Sequence, residues 1–279
     1  MRDTPRPQGT AGDPGPRPPQ LRLGRALAHT PGALRSGYPH RSDGRTPQTP
    51  RGGRYTDPCD RPGTTPPVPG RSAFPLLGSL LVLFLLITWQ VVVHGPLTRA
   101  DERLGNALFR PDRLSALLAD LGAVPVAVPV LAVALFWAAT SARNSGREGW
   151  WLPPVAAAVT MTTVPALVLP FKVLIARPGP PVMGPATGFY PSGHMATAMV
   201  AYGAAALVLW PWQRTPGARR ALLTVCLALD MAVASGLIRS GYHWPLDVLG
   251  SWCLCGAMLC ALWQVLDRVG HFSPPNRPA

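Results

Sequence analysis

The sequence predicts an all-α protein, a polytopic bundle of six transmembrane helices behind a long Pro/Arg-rich N-terminal tail. Two observations carry that expectation. Residues 74 to 268 are dominated by long apolar runs, each near the ~20 residues that a helix needs to cross the hydrocarbon layer. Residues 1 to 73 are instead rich in Pro, Gly, Arg, Ser and Thr, with almost no periodic apolar pattern. Such a stretch buries too little surface to offset the entropy of ordering it. The expected division is a disordered cytoplasmic tail at 1–73, a membrane domain at 74–268 and a short polar C-terminal tail at 269–279.

The first span is expected over Phe74 to Val93, too deep in the chain for a cleaved signal peptide. Between it and the next, Thr98 and Asp101 have the spacing of a capping box, and Leu97, Leu104 and Leu108 share a face. That pattern fits a short helix lying along the interface. A second span is expected over Leu114 to Ala139, kinked at Pro125 and Pro129, and a third over Trp151 to Phe171, anchored by Trp150 and Trp151. The fourth begins at His194 and ends near Trp210–Trp212; its Ala198, Ala201, Ala204 and Ala205 permit close packing. The fifth covers Ala221 to Ile238 and the sixth Pro245 to Leu266.

The formal charge of +13 sits largely in the tail, where twelve arginines from Arg2 to Arg71 outnumber five aspartates. The arginines are scattered and lack interleaved aromatics, which argues against nucleic acid and for attraction to anionic membrane lipids. Cys226, Cys253, Cys255 and Cys260 fall inside apolar segments, and Cys253-Leu-Cys255 lacks a zinc or redox spacing, so packing is their expected role. The Ala, Arg, Gly and Pro bias points to a GC-rich bacterial genome.

An even number of spans puts both termini on one side, with the loops that hold Arg143, Arg147, Arg214, Arg219 and Arg220. The positive-inside rule makes that side cytoplasmic, although Arg99, Arg103, Arg110 and Arg113 fall opposite; the plasma membrane is the expected location. The loops 172–193 and 239–244 then share the extracytoplasmic face, so their polar residues can meet.

Those loops hold the chemistry. Pro191-Ser192-Gly193-His194 ends the first loop at the mouth of a helix, whose first amides lack internal partners and suit an anion. Lys172, Arg177, Ser192, Gly193 and Arg239 are the expected phosphate-binding residues. His243 is the expected nucleophile, and Asp247, four residues on in the first turn of a helix begun by Pro245, holds its tautomer. His194 protonates the leaving oxygen and then activates water. The cationic side chains supply the charge stabilisation, so neither a metal nor another cofactor is expected. Singly, each residue has a plainer reading. The histidine before Trp-Pro serves as an interfacial anchor, and Lys172 and Arg177 as snorkelling charges. Asp230, midway along the fifth span, is either functional or a satisfied polar group.

On these residues the chain resembles the type 2 phosphatidic acid phosphatase superfamily over roughly residues 74 to 266. That family carries K-x6-R-P, P-S-G-H and S-R-x5-H-x3-D. Lys172 matches the first motif, Pro191–His194 the second, and His243 with Asp247 the third. Both motif arginines are displaced: Gly179 and Leu237 stand at their places, with Arg177 two residues earlier and Arg239 two residues later. The resemblance implies a six-helix membrane lipid phosphatase in which the third-motif histidine attacks phosphorus. The expected substrates are phosphatidic acid, phosphatidylglycerophosphate or a polyprenyl diphosphate. The alternatives are a lipid phosphotransferase, a scaffold or lipid-binding protein that has lost the two arginines in place, and, more remotely, a haloperoxidase.

Overall fold

The structure, a computed structural model, describes residues 73–272. The tail expected to be disordered therefore lies outside the described residues, as does the chain beyond Phe272. The described residues form eight α-helices: α1 (Phe74–Val92), α2 (Pro96–Leu108), α3 (Arg113–Asp120), α4 (Val124–Asn144), α5 (Leu152–Ile175), α6 (Gly193–Leu209), α7 (Pro216–Arg239) and α8 (Pro245–Arg268). Six of them, all but α2 and α3, are long and apolar enough to cross a membrane. This is the all-α, six-span, multi-pass membrane protein that the hydropathy predicted.

The expected second span is corrected. The apolar run from Leu114 is broken at Leu121–Ala123, so α3 caps the bundle and only α4 is long enough to cross. Pro125 is the reason α4 starts where it does. It sits in the first helical turn, where a missing N–H costs no hydrogen bond. The break is held by Tyr202, whose hydroxyl donates to the Leu121 carbonyl at 2.6 Å.

Helix α2 also departs from expectation. Thr98 is not its cap; the helix begins earlier, at Pro96 after Gly95. Leu97, Leu104 and Leu108 do share a face, but it points outward, and the opposite stripe of Thr98, Asp101 and Gly105 is buried. Gly105 sits beneath the Trp244 ring, where a Cβ would collide. A polar stripe turned inward and a leucine stripe turned outward suit a helix between membrane lipid and a polar site.

Helix α6 is the centre of the bundle and packs on α4, α5, α7 and α8. Its alanines 198, 201, 204 and 205 are all buried, as their small size predicted. Helix α1 packs on α8 and α3 on α7. Cys226, Cys253, Cys255 and Cys260 are free thiols in the packed segments. The stretch after α8 folds back, with His271 buried and its Nε2 3.1 Å from the Val208 carbonyl. At the other end, α2, α3 and the two loops that precede α6 and α8 converge.

Candidate active site

The convergence is built from the ends of α5, α6 and α8. Lys172 lies in the last turn of α5 and donates to the Gly188 carbonyl at 2.8 Å. An ammonium has three N–H groups, so two remain for a ligand. Ser192 is the N-cap of α6 and accepts from the Met195 amide at 3.3 Å. Its backbone is bolted to α8: the Ser192 amide donates to the Asp247 carbonyl at 3.1 Å, and the Ser251 hydroxyl donates to the Ser192 carbonyl at 2.8 Å. Ser192 is fully buried, so its hydroxyl serves the helix cap. Gly193 and His194 follow in the first turn of α6 and face outward from that anchor.

His243 precedes α8, which begins at Pro245 as expected. Its Nδ1 lies 3.3 Å from Asp247 Oδ2. A carboxylate only accepts, so Nδ1 carries the proton and Nε2 is left with a free lone pair. Asp247 also accepts from the Trp244 amide at 3.1 Å, the reach-back bond of a residue in the first turn. Phe189 packs edge-on against the imidazole, with ring centres 5.6 Å apart.

His194, His243, Lys172 and Gly193 line one cleft of about 610 Å³. Its remaining walls are mostly apolar, with Val128 from α4, and Met161, Val164, Val168 and Leu169 from α5. On its other side His243, with Trp244, borders a smaller apolar pocket of about 100 Å³ reaching Asn106 and Val182.

The two arginines are placed differently from expectation. Arg177 lies behind the cleft, buried between two carboxylates. It donates to Asp247 Oδ1 at 2.5 Å and to Asp101 Oδ2 at 2.6 Å, and its guanidinium centre lies 6.0 Å from the Trp244 ring. Burial opposes its charge, but the Asp247 and Asp101 carboxylates override that and hold its pKa above the usual value. Arg239 ends α7 and donates to Asp112 Oδ2 at 3.0 Å on the exposed flank. It lines another cleft, with Arg110, Ser235 and Trp252. The expectation that Arg177 and Arg239 flank one phosphate with Lys172 is therefore not met by this arrangement. Among the described residues, Lys172 is the one lysine or arginine lining the cleft.

Sequence reasoning missed Asp101. It is buried, and its other oxygen, Oδ1, accepts from the Leu246 amide at 2.7 Å. Burial pushes its pKa up, against the pull of Arg177 and that amide. One cation shared between two buried carboxylates leaves the second under-compensated. The available signal was the spacing Thr98, Asp101, Gly105, a polar and small stripe opposite the leucines. Asp230 is not brought to the cleft; it is buried in α7, with Cys226 Sγ 4.0 Å from Oδ2. Among the described residues no group of His, Cys, Asp and Glu has the arrangement of a metal site.

The PAP2 superfamily model matches residues 153–270. Among solved structures, the first transmembrane PAP2 type phosphatidylglycerolphosphate phosphatase from Bacillus subtilis is similar at 21% identity and a TM-score of 0.56, covering 72% of this chain and 98% of that one. No curated protein matches. At that identity the structural likeness establishes the fold, and the matched segment contains Lys172, both histidines and Asp247 while leaving out Asp101. Residues 153–270 thus match the PAP2 superfamily model, in a chain whose fold is similar to that of a transmembrane PAP2-type phosphatase.

Proposed function

We propose that the protein is a membrane lipid phosphatase that hydrolyses a phosphomonoester or diphosphate through a phosphohistidine, without a metal. One observation carries the reading: His194 and His243 line the same cleft, and Asp247 holds the second by Nδ1. His243 Nε2 attacks phosphorus as the bond to the leaving oxygen breaks. His194, as the imidazolium, gives its proton to that oxygen. Water then attacks the phosphohistidine, neutral His194 takes its proton, and the P–N bond breaks to release inorganic phosphate and His243. Lys172 supports the charge on the phosphoryl oxygens, together with the Gly193 end of α6. Asp247 stabilises the imidazolium of His243 while the P–N bond exists.

A lipid substrate follows from the cleft's apolar walls on α4 and α5, which run from the histidines along membrane-spanning helices. Phosphatidic acid, phosphatidylglycerophosphate and a polyprenyl diphosphate all combine a phosphoryl head with such a tail. The reading places the site on the extracytoplasmic face of a bacterial plasma membrane, with both termini cytoplasmic. The placement of Arg177 and Arg239 away from the cleft favours, as the second reading, a lipid-binding or scaffold protein on the same fold.

The test is phosphate release by purified protein in detergent, from phosphatidic acid and from a polyprenyl diphosphate, with EDTA present and beside His243→Ala. Release that survives EDTA and is lost in the variant is the expected result. No release from either substrate by folded wild-type protein would move the reading to the scaffold.

A further inference from the structure

The buried chain Asp101–Arg177–Asp247–His243 runs from α2 to the reacting nitrogen in three contacts, of 2.6, 2.5 and 3.3 Å. Three of its four members are 5% exposed or less, and His243 is 7% exposed. Buried ion pairs are poor stabilisers, because desolvating the charges costs about as much as pairing them returns; well-packed apolar side chains commonly do as well or better. Packing thus gives no reason to keep a carboxylate, a guanidinium and a second carboxylate here. Geometry does. Asp247 has two oxygens with separate duties: Oδ2 meets His243 Nδ1 and the Trp244 amide, and Oδ1 meets Arg177. Rotation of that carboxylate would break the His243 contact, and Arg177 prevents it. Among the described residues, the hydrogen-bond partner of the second terminal nitrogen of Arg177, on the far side, is Asp101.

We propose that Asp101 is a positioning residue for the reaction: by anchoring Arg177 it fixes the rotation of Asp247, and so the orientation of His243. This rests on the phosphatase reading. Asp101 does not touch the substrate. Its Oδ1 also caps an amide of α8 at Leu246, a purely structural duty, so a test must separate the two. Asp101→Asn does so, since its amide oxygen still accepts from Leu246 while the charge that holds Arg177 is gone.

Asp101→Asn, Arg177→Gln and the double variant are compared with wild type on phosphatidic acid in mixed micelles, with the melting temperature read on the same preparations. Loss of the outer partner of a metal-ligating histidine costs roughly ten- to a hundredfold, and the same scale is taken for His243. The expected result is a fall of that size in kcat for Asp101→Asn, with KM within about twofold. The double variant is expected to be no slower than Arg177→Gln, because Asp101 acts only through Arg177. A lower melting temperature with kcat near wild type would overturn the proposal and leave Asp101 as a cap. So would an additive loss in the double variant, or, where Asp101→Asn alone fails to fold, a folded Arg177→Gln with kcat near wild type.

A wild type that releases no phosphate counts against the phosphatase reading, and the positioning role is then read directly. The ¹⁵N-histidine spectrum, assigned with His243→Gln, is expected to show a hydrogen-bonded Nδ1–H for His243 that weakens or vanishes in Asp101→Asn. An unchanged signal would overturn the proposal whatever the activity.

Discussion

Arg239 and Asp112 form an ion pair at 3.0 Å on the flank of the bundle, with both side chains more than two-fifths exposed, and the guanidinium so held faces away from the cleft of His194 and His243. Exposed pairs contribute little to stability. Arg239→Ala is accordingly expected to leave phosphate release within about threefold of wild type. Arg177→Ala, which strands Asp101 and Asp247 as buried unpaired carboxylates, is expected to abolish release and lower the melting temperature by several degrees. Equal and severe losses in both variants, with Arg239→Ala fully folded, would mean that Arg239 swings into the cleft when substrate binds.

His194 has two proposed duties, and a change of leaving group separates them. With a phosphatidic acid substrate, His194→Ala should lower turnover by about a hundred- to ten-thousandfold. A nitrophenyl phosphate leaves as a stable phenolate and needs no proton, so its first step recovers while activation of water does not. Stopped-flow absorbance should then show a burst of one phenolate per protein and a slow steady rate. A steady rate without a burst would assign His194 to the first step alone.

Two glycines beside the site make opposite predictions. A Cβ at Gly193 would meet only Lys172 Cε, at 3.8 Å, so Gly193→Ala should fold normally and keep the backbone amide on which phosphate binding would depend. A Cβ at Gly122 would lie 2.8 Å from the His194 carbonyl and from Val233 Cγ1, where backbone cannot give way. Overpacking of that kind costs about 1–3 kcal/mol. Gly122→Ala should therefore melt lower and lose activity through the shifted His194. Thermal unfolding and phosphate release on the two variants check both halves.

Asp112 is held below the ordinary carboxylate value of 3.8 first by the Ser115 amide, then by the Ser115 hydroxyl, and further by Arg239. A group depressed on folding stabilises the folded state above its unfolded pKa and loses that contribution as pH falls through its folded pKa. The capped start of α3 should thus loosen below about pH 3.8, the ordinary value. Melting temperatures from pH 6 to pH 3 should fall less steeply for Asp112→Asn than for wild type. Parallel slopes would show that the cap is not what titrates.

Much of this was legible in the chain. Length and hydropathy give the number of spans and place all but the second, because a bilayer demands some 20 apolar residues and helices alone satisfy their backbone there. The two histidines and Lys172 share a face because an even number of spans, two, separates the loops bearing them. What was hidden has physical reasons. The apolar run from Leu114 looks continuous, and its break at Leu121–Ala123 depends on Tyr202, 81 positions along. Charge and nearness to motif positions make Arg177 and Arg239 the expected phosphate ligands, but charge does not reveal which carboxylate lies closer in space. Asp101, Asp112 and Asp247 decide that, the first on α2 and the second at the N-cap of α3. A capping-box spacing at Thr98 disguised Asp101, since the same interval of three residues also marks one face of a helix.

Helix α6, which presents His194, is largely enclosed by its neighbours, whereas α4 and α5, which wall the apolar side of the cleft, expose most of their length. Val128, Met161 and Leu169 are half-buried or exposed, while Ser192, Met195 and Asp247 are sealed. On the proposed reading, selectivity and turnover fall to separable parts of one molecule. Substitutions along the outer wall can retune which tail is accepted while the reacting groups stay in register. A library confined to those wall positions should yield proteins that differ in chain-length preference yet share one rate-limiting chemistry.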